Sequence, residues 1–319
     1  MIQISKDLNL AKTLLENDEV VAIPTETVYG LAGNIFSEKA VKQIFETKKR
    51  PFFNPLIVHI HSLACLEEVC SEIPLKAKLL ANIFWPGPLT LVLKKQDSIS
   101  DLVTGGKDTV AVRIPNHPLT LELLSKLNFP LAAPSANPFG SISPTTAKHV
   151  ANYFSNSLQM VLDGGTCING IESTIIGFEN EEPILYRLGA ISQENIESII
   201  GPILLKNKSK SAPEAPGMLT KHYAPNTQTI LVDDVKKEIQ KHPTKKIGFL
   251  LFKNEDLEIE NVIKEVLSEK GSLKEATSNL YAAMHRLDTQ NLDLIIAQKF
   301  PEIDLGRSIN DRLERATKN

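Results

Sequence analysis

The stretch Val20-Val21-Ala22-Ile23-Pro24-Thr25-Glu26-Thr27-Val28-Tyr29-Gly30-Leu31-Ala32-Gly33 is the one around which the predicted fold is organised. Its first four residues are apolar and predict a buried strand. Pro24 ends that strand, because proline has no N–H to donate to a β-ladder. Hydroxyl and carboxylate side chains follow, and Gly30 and Gly33 let another group approach the backbone closely. This order is typical of a ligand site at a sheet edge in an open α/β fold, although an ordinary turn is the simpler explanation of the stretch taken alone.

Predicted strands and helices alternate from this stretch to Lys206. Short apolar runs predict strands at residues 56–60, 89–93 and 109–114, and a helix begins after the N-cap Ser37. The alternation predicts an α/β fold with a mixed sheet. Residues 206–227 contain three prolines and no periodicity, which predicts a linker.

A second unit is predicted after the linker. Strands at residues 229–232, 246–252 and 292–297 alternate with helices at 261–269, 273–287 and 308–317. This pattern predicts a small Rossmann-like α/β domain. The predicted boundaries are therefore 1–205, 206–227 and 228–319.

The composition restricts the class of protein. The 319 residues carry a formal net charge of -3, so the chain as a whole does not attract nucleic acid or anionic lipid. Its three cysteines are too few and too unevenly spaced for a disulfide framework or a zinc site. The chain shows no signal peptide and no run of about 18 apolar residues, which predicts a soluble, cytoplasmic protein. Common phosphate-loop, dinucleotide and serine-hydrolase motifs are absent from the sequence.

Charged residues beside or inside apolar segments are the first candidates for chemistry. Lys48 and Arg50, with Asn54 shortly after them, have the side chains that hold phosphates, but cations at a helix end also favour the helix dipole. Arg113 and Arg187 lie within apolar strands, where a buried guanidinium needs an anionic partner. An edge strand with each arginine on its solvent face is an equally good explanation.

Other polar candidates also have structural explanations. His59 suits a core histidine as well as a ligand. Ser135, Asn137 and Ser143 suit turns, and Ser173 suits a strand. Spacing alone does not decide between these interpretations.

The order of several motifs resembles the YrdC-like family, the threonylcarbamoyl-adenylate synthases that begin tRNA threonylcarbamoyladenosine modification. The matching motifs are Pro24-Thr25-Glu26-Thr27-Val28-Tyr29-Gly30-Leu31, Lys48-x-Arg50-Pro51, Asn54-Pro55-Leu56, Trp85-Pro86-Gly87-Pro88-Leu89-Thr90, Arg113-Ile114-Pro115, Pro134-Ser135-Ala136-Asn137, Glu172-Ser173-Thr174 and Arg187-x-Gly189. The linker motif His222-Tyr223-Ala224-Pro225 and the tail Ile309-Asn310-Asp311-Arg312-Leu313-Glu314-Arg315-Ala316 resemble the longer, two-domain form of the family.

The resemblance implies an open twisted mixed sheet with helices, followed by a Rossmann-like domain. It also implies a reaction, in which L-threonine, bicarbonate or carbon dioxide, and ATP give threonylcarbamoyl-AMP and pyrophosphate. Mg²⁺ would arrive on the ATP phosphates and not in a dedicated protein site. The product would pass to a downstream tRNA threonylcarbamoyl transferase.

The resemblance also implies the site residues. L-threonine would be held by Thr27, His59, Arg113, Ala133 (through its backbone) and Ser173. ATP would be held by Arg50, Asn54, Thr109, Ser135, Ser143, Arg187 and Tyr223, with Lys48 and Asn137 close to the phosphates. Lys48, Arg50 and Arg113 would act in catalysis by positioning and by neutralising charge. Tyr223 would make the linker a lid that excludes water, so deletion beyond Lys206 should weaken ATP use.

Two other functions compete with this one. A non-catalytic RNA-binding module acting on tRNA or ribosomes would use Lys48, Lys49, Arg50 and Trp85. Carbamoyl transfer to another acceptor, as in related hydrogenase-maturation proteins, ranks lower because the chain lacks their zinc-finger cysteines. Direct tRNA binding, the oligomeric state and the role of Glu26 receive no prediction.

Overall fold

The structure is a computed structural model that describes residues 2–207, 213–218, 222–255 and 263–318. Within those ranges, twelve strands form one large mixed sheet and four strands form a second, parallel sheet. The larger sheet and its helices are called the N-terminal unit below. The second sheet and its helices are called the C-terminal unit. The mixed α/β architecture predicted from the sequence is confirmed.

The strands of the large sheet are short and mostly buried. In chain order they are β1 (Gln3–Ser5), β2 (Val21–Ile23), β3 (Gly30–Asn34), β4 (Ile57–His59), β5 (Cys70–Glu72), β6 (Leu89–Lys95), β7 (Thr109–Arg113), β8 (Leu131–Ala132), β9 (Met160–Leu162), β10 (Thr174–Glu179), β11 (Glu182–Arg187) and β12 (Leu204–Leu205). The strands of the second sheet are β13 (Thr229–Val232), β14 (Ile247–Leu251), β15 (Ile263–Val266) and β16 (Leu294–Gln298).

Helices cover both sheets, and side-chain caps define several of their starts. They are α1 (Leu8–Glu16), α2 (Glu38–Lys48), α3 (Leu66–Val69), α4 (Leu75–Phe84), α5 (Asp101–Thr104), α6 (Pro118–Ser125), α7 (Ala147–Phe154), α8 (Gln193–Ile200), α9 (Val235–Ile239), α10 (Leu273–Asp288) and α11 (Leu305–Ala316). The predicted N-cap Ser37 accepts a hydrogen bond from the Ala40 N–H, which satisfies one free donor in the first turn of α2.

The order of strands in the large sheet is β1-β9-β2-β3-β8-β4-β7-β6-β10-β11-β12, and β5 pairs with β6. β4 and β7 are parallel, and their last residues, His59 and Arg113, are partners in the register. β10 runs parallel to β6, so its first residue, Thr174, lies opposite Leu89 at the start of β6. Because β6 and β7 are antiparallel, the start of β10 lies near the end of β7. This topology brings chain segments that are far apart in sequence to one edge of the sheet.

The predicted helix over residues 261–269 is wrong where the structure describes it. Ile263–Val266 instead forms β15, which pairs in parallel with β14. Apolar residues at 263, 266 and 267 fit a helical face, but β14 offers a free edge on which a strand gains ladder hydrogen bonds. Residues 261 and 262 of that prediction lie outside the described residues.

Buried side chains connect the two units. One hydrophobic cluster combines Val28, Ile142 and Ile171 of the N-terminal unit with core residues of α10 and α11, such as Leu280 and Leu313. Deleting the chain beyond Lys206 would expose this cluster to water, which costs about 25 cal/mol for each Å² of apolar surface. The truncation therefore tests the packing of the N-terminal unit as well as the proposed lid. No helix in the described ranges is long and apolar enough to cross a bilayer.

Candidate active site

A single pocket at the sheet edge gathers most of the predicted site residues. All five residues predicted for L-threonine line it: Thr27, His59, Arg113, Ala133 and Ser173. Four of the residues predicted for ATP also line it: Arg50, Ser135, Arg187 and Tyr223. The pocket therefore contains hydroxyls, an imidazole and three guanidinium groups, a combination suited to a polar, anionic ligand.

A compact turn after β2 shapes one wall of the pocket. The Thr25 hydroxyl donates to the Val28 carbonyl oxygen over 2.6 Å and accepts from the Thr27 and Val28 N–H groups at 3.1 and 3.2 Å. This side-chain turn holds the Thr27 hydroxyl, 2.8 Å from that of Thr25, in a fixed place. Gly30 follows at the start of β3, and a Cβ there would lie 3.1 Å from the Ala133 Cβ. The glycine thus lets two walls of the pocket approach each other.

Arg113 is buried at the end of β7 and faces Glu26. Its Nη2 lies 2.6 Å from Glu26 Oε1, and its Nη1 donates to the Thr27 hydroxyl over 3.0 Å. The charge pair lacks hydrogen-bond alignment: among the described residues, the Nε and Nη2 of Arg113 and both carboxylate oxygens of Glu26 have no hydrogen-bond partner. The predicted anionic partner of Arg113 is thus Glu26 in this structure, and the Nε of Arg113 stays available to a further acceptor.

His59 lies beside Arg113 and is neutral. Burial and the neighbouring Arg113 guanidinium lower the pKa of His59 to about 3. Its Nδ1 lies 3.2 Å from the Ile57 carbonyl oxygen, so Nδ1 carries the hydrogen and Nε2 keeps its lone pair. His59 therefore presents a hydrogen-bond acceptor next to the cationic group of Arg113.

Ser173 and Arg187 bind each other in the lining of the same pocket. Arg187 donates from Nε and Nη2 to the Ser173 carbonyl oxygen over 3.0 and 2.9 Å, and from Nη2 to the Ser173 hydroxyl over 3.0 Å. The Ser173 hydroxyl also lies 2.7 Å from that of Thr90. Arg187 lies at the end of β11 and is buried, so it is not on a solvent face.

Lys48 and Arg50 anchor backbone segments around the pocket. Lys48 Nζ donates to the carbonyl oxygens of Ser135 and Asn137, and Arg50 donates to those of Asn54 and Pro55. Burial lowers the pKa of Arg50 to about 9 and lowers the pKa of Lys48 well below its ordinary value. These contacts fix the loops that carry Ser135 and Asn54, and Arg50 itself reaches the pocket.

Several residues predicted for ATP lie outside the pocket lining. Lys48, Asn54 and Asn137 are buried behind it, and neither side-chain atom of Asn54 has a hydrogen-bond partner within the described ranges. Ser143 is buried and donates to Glu172 Oε1 over 2.6 Å. Thr109 begins β7 and lines a separate surface depression together with Asp108 and other residues. The ATP role of these five residues, like that of the four that line the pocket, stays a prediction.

The sequence prediction missed several residues that line the pocket or support it. Glu172, Pro216, Gly217 and His222 line the pocket, and Glu26 pairs with Arg113. Glu172 and His222 directly precede the predicted residues Ser173 and Tyr223 in motifs given above. Their place in those motifs is the sequence signal that could have identified them. The partners of Glu26 and Glu172 lie 87 and 140 residues away, respectively, along the chain, beyond the reach of local patterns.

Known protein families and curated proteins are similar to this chain over nearly its whole length. Residues 13–189 match the family model described as telomere recombination (Sua5/YciO/YrdC), and residues 191–317 match the model described as threonylcarbamoyl-AMP synthase, C-terminal domain. The chain is 40% identical to threonylcarbamoyl-AMP synthase of Pyrococcus abyssi, covering 97% of this chain and 94% of that protein. It is 39% identical to the protein of the same name in Bacillus subtilis, covering 96% and 91%.

A solved structure is similar to this chain over nearly its whole length as well. The structure of P. abyssi Sua5 complexed with L-threonine superimposes with a TM-score of 0.91 at 39% identity, covering 99% of this chain and 97% of that one.

Proposed function

Because this chain belongs to the threonylcarbamoyl-AMP synthase family, we propose that it converts L-threonine, bicarbonate or carbon dioxide, and ATP to L-threonylcarbamoyl-AMP and pyrophosphate. Relatives that match almost the full length of the chain are named threonylcarbamoyl-AMP synthase, and the chain is an enzyme of this type. The RNA-binding module without chemistry is thereby set aside.

The observation that carries the proposal is the arrangement around Arg113. Its guanidinium is buried at the pocket wall with Nη2 paired to Glu26, and its Nε has no hydrogen-bond acceptor among the described residues, so Arg113 can also receive the threonine carboxylate. The neutral His59 offers Nε2 to the amino or hydroxyl group of the same substrate. The Thr27 and Ser173 hydroxyls line the same space and give further polar contacts.

The reaction proceeds in two bond-forming steps. The unprotonated threonine nitrogen attacks the carbon of carbon dioxide, one C–O π bond opens onto oxygen, and a nitrogen proton passes to water, which gives a carbamate. If bicarbonate is the source, hydroxide leaves that carbon and takes up the nitrogen proton to form water. A carbamate oxygen then attacks the α-phosphorus of ATP, and the bond from that phosphorus to the bridging oxygen breaks with the electron pair leaving on pyrophosphate. No protein nucleophile takes part.

The chain contributes positioning and positive charge. Arg50 and Arg187 both line the pocket, where they neutralise charge that develops on the phosphates. Mg²⁺ enters with ATP as part of the substrate. Glu172, the carboxylate that lines the pocket, is occupied by Ser143, Tyr281 and Arg312 and offers no free oxygen to a metal.

Described residues of the linker border this pocket, while residues 208–212 and 219–221 of the linker lie outside the described ranges. Pro216, Gly217, His222 and Tyr223 line the pocket, and Tyr223 is buried although it lies in the linker. The linker acts as a lid over ATP, opening to admit the nucleotide and closing to exclude water. The product is then consumed by a tRNA threonylcarbamoyl transferase in the cytoplasm.

The test is a pyrophosphate assay with purified protein. ATP, bicarbonate and L-threonine together should release pyrophosphate, and omission of any one of the three should abolish the release. Mass spectrometry should detect L-threonylcarbamoyl-AMP in the complete mixture only. Pyrophosphate release that is independent of threonine would contradict the proposal, and so would release without the adenylate product.

A further inference from the structure

The C-terminal unit contacts the pocket through one carboxylate. Arg312 of α11 donates from Nε to Glu172 Oε2 over 2.8 Å. The Tyr281 hydroxyl of α10 lies 3.0 and 2.9 Å from the two oxygens of the same carboxylate. Glu172 lines the pocket, whereas Arg312 and Tyr281 are both 0% exposed. Two helices of the C-terminal unit therefore hold a wall of the site in the N-terminal unit.

Glu172 is suited to hold its neighbours in place and unsuited to accept a proton. Burial alone would raise its pKa, but Arg312, Arg187 and the Ser143 hydroxyl outweigh burial and lower the pKa of Glu172 to about 2. Oε1 accepts from Ser143 and both oxygens are within reach of Tyr281, so the lone pairs are engaged. A carboxylate in this state is a poor base for the threonine ammonium group.

Two further contacts of Arg312 lead to the pocket, while its Nη1 donates to Asp311 Oδ2 over 2.7 Å within α11. Its Nη2 donates to the Leu188 carbonyl oxygen over 2.7 Å. Leu188 directly follows Arg187, the last residue of β11. Its guanidinium carbon lies 4.8 Å from the centre of the Tyr223 ring, a cation–π contact. The Tyr281 ring stacks on the Tyr223 ring with centres 5.8 Å apart. The same two side chains thus contact Glu172 and two further segments that line the pocket.

The segment before Glu172 is held by the C-terminal unit as well. The Ser278 hydroxyl of α10 donates to the Ile168 carbonyl oxygen over 2.7 Å. Gly170 has a φ of +71°, and a Cβ there would lie 2.3 Å from the Ser278 carbonyl oxygen. In α11, the Ser308 hydroxyl donates to the Gly189 carbonyl oxygen over 2.8 Å. α10 and α11 therefore support both chain segments that carry Ser173 and Arg187.

We propose that Arg312 and Tyr281 are positioning residues for the reaction, which fix Glu172 and through it the Ser173–Arg187 wall of the pocket. The C-terminal unit thereby completes the active site of the N-terminal unit. The turnover assay of this inference rests on the proposed function, whereas its ligand-binding measurements do not.

The test uses three variants of the full chain. Arg312→Met removes the charge and the hydrogen bonds, and Tyr281→Phe removes only the hydroxyl and keeps the ring on Tyr223. Arg286→Met is the matched control, because Arg286 belongs to the same helix as Tyr281 but pairs with Glu265 at the surface. We expect kcat/KM for ATP to fall on the order of 100-fold in Arg312→Met and about 10-fold in Tyr281→Phe, with little change in Arg286→Met.

The pH profile separates positioning from general loss of stability. The charged and titratable groups that face Glu172 are Arg312, Arg187, Tyr281, Tyr223 and His222. Without Arg312, the pKa of Glu172 rises, so its carboxylate becomes protonated as the pH is lowered. Turnover of Arg312→Met should therefore fall more steeply than that of the native protein when the pH decreases from about 8 to about 5. The double variant Glu172→Gln/Arg312→Met lacks the titrating group and should lose this additional fall.

Calorimetry of L-threonine and of a non-hydrolysable ATP analogue supplies the readout that needs no turnover. Weaker binding of either ligand to folded Arg312→Met and Tyr281→Phe, with unchanged binding to Arg286→Met, supports the inference. Native affinity and a native pH profile in both variants would overturn it, as would equal losses in all three. Failure of the native protein to release pyrophosphate overturns the proposed function, while the calorimetric comparison still decides the inference.

Discussion

Arg113 and Glu26 form a buried charge pair at the wall of the pocket, with Nη2 2.6 Å from Oε1 and side chains that are 4% and 2% exposed. The pair explains how a guanidinium can sit inside an apolar strand before substrate arrives, since an isolated buried charge is costly. It also means that a substrate carboxylate meets a cation that is already partly neutralised. Glu26 thus stabilises the empty site and weakens the attraction for the ligand.

The first prediction separates these two effects with Glu26→Gln. Loss of the carboxylate charge leaves Arg113 uncompensated, so the free energy of unfolding should fall by about 3 kcal/mol. Saturating L-threonine should then raise the melting temperature of the variant more than that of the native protein, because its carboxylate replaces the lost charge. The control is Glu38→Gln, which removes a solvent-exposed partner of Lys42. Equal threonine-induced shifts in all three proteins would contradict this role of Glu26.

Arg113→Lys tests the geometry of the cation. Lysine keeps a positive charge but lacks the planar fork that binds a carboxylate with two parallel hydrogen bonds. We expect kcat/KM for L-threonine to fall on the order of 100-fold, while the KM for ATP changes little. Steady-state pyrophosphate release at varied threonine provides the measurement. A variant that saturates at native threonine concentrations would show that Arg113 does not bind the carboxylate.

Tyr223→Phe tests the linker without truncation. The Tyr223 hydroxyl is buried and has no hydrogen-bond partner in the described parts of the chain, so its loss should leave stability unchanged or raise it by about 1 kcal/mol. If the hydroxyl serves ATP, the KM for ATP should nevertheless rise about 10-fold. The matched control is Tyr153→Phe, because the Tyr153 hydroxyl donates to Ile142 over 3.0 Å and its loss should reduce stability only. A native KM for ATP in Tyr223→Phe would count against the lid.

His285→Gln tests a stacked histidine pair between the two units. The rings of His149 and His285 lie 3.9 Å apart, and burial lowers their pKa values to about 3 and about 4. The folded protein keeps both neutral, whereas the unfolded chain binds protons below about pH 6.5, so stability should fall as pH decreases from there. Glutamine still donates to the Ser143 carbonyl oxygen but does not titrate. Urea unfolding near pH 7 and pH 5 should show a weaker pH dependence in the variant, and an unchanged dependence would refute the assignment.

Gly170→Ala tests the close contact of α10 with the segment before Glu172. Alanine costs about 1–2 kcal/mol for a positive φ at either Gly170 or Gly106, but a Cβ at Gly106 meets nothing within 4 Å. Gly170→Ala should therefore lose at least about 2 kcal/mol more than the control Gly106→Ala. Urea unfolding compares the two. Equal losses of stability in the two variants would show that the contact between α10 and the segment before Glu172 adjusts to the added methyl group without destabilising the protein.

The fold was largely predictable because its helices and most strands carry local signals. The N-cap Ser37 predicted the start of α2 correctly. β3 was missed because a Gly-Leu-Ala-Gly sequence has little intrinsic preference for a strand, and pairing with β2 and β8 decides its structure. β15 was mispredicted for the same reason, since an available sheet edge outweighed helical spacing.

The site was predictable only in part. Family resemblance supplied residues such as Thr27 and Arg113, which the structure places in one pocket. It gave no role to Glu26, since the pairing with Arg113 depends on how strands distant in sequence lie side by side. Arg312 was missed because nothing in its helix indicates that its partner is a carboxylate 140 residues earlier. Contacts of this kind are determined by tertiary structure and leave no local pattern.

The distance along the chain between Glu172 and Arg312 also governs when the pocket can form during protein synthesis. Arg312 leaves the ribosome 140 residues after Glu172, which corresponds to roughly 10–30 s at ordinary elongation rates. During that interval the carboxylate lacks its guanidinium partner and the Ser173–Arg187 wall lacks support from α10 and α11. A nascent chain therefore contains every strand of its large sheet well before it possesses a finished active site.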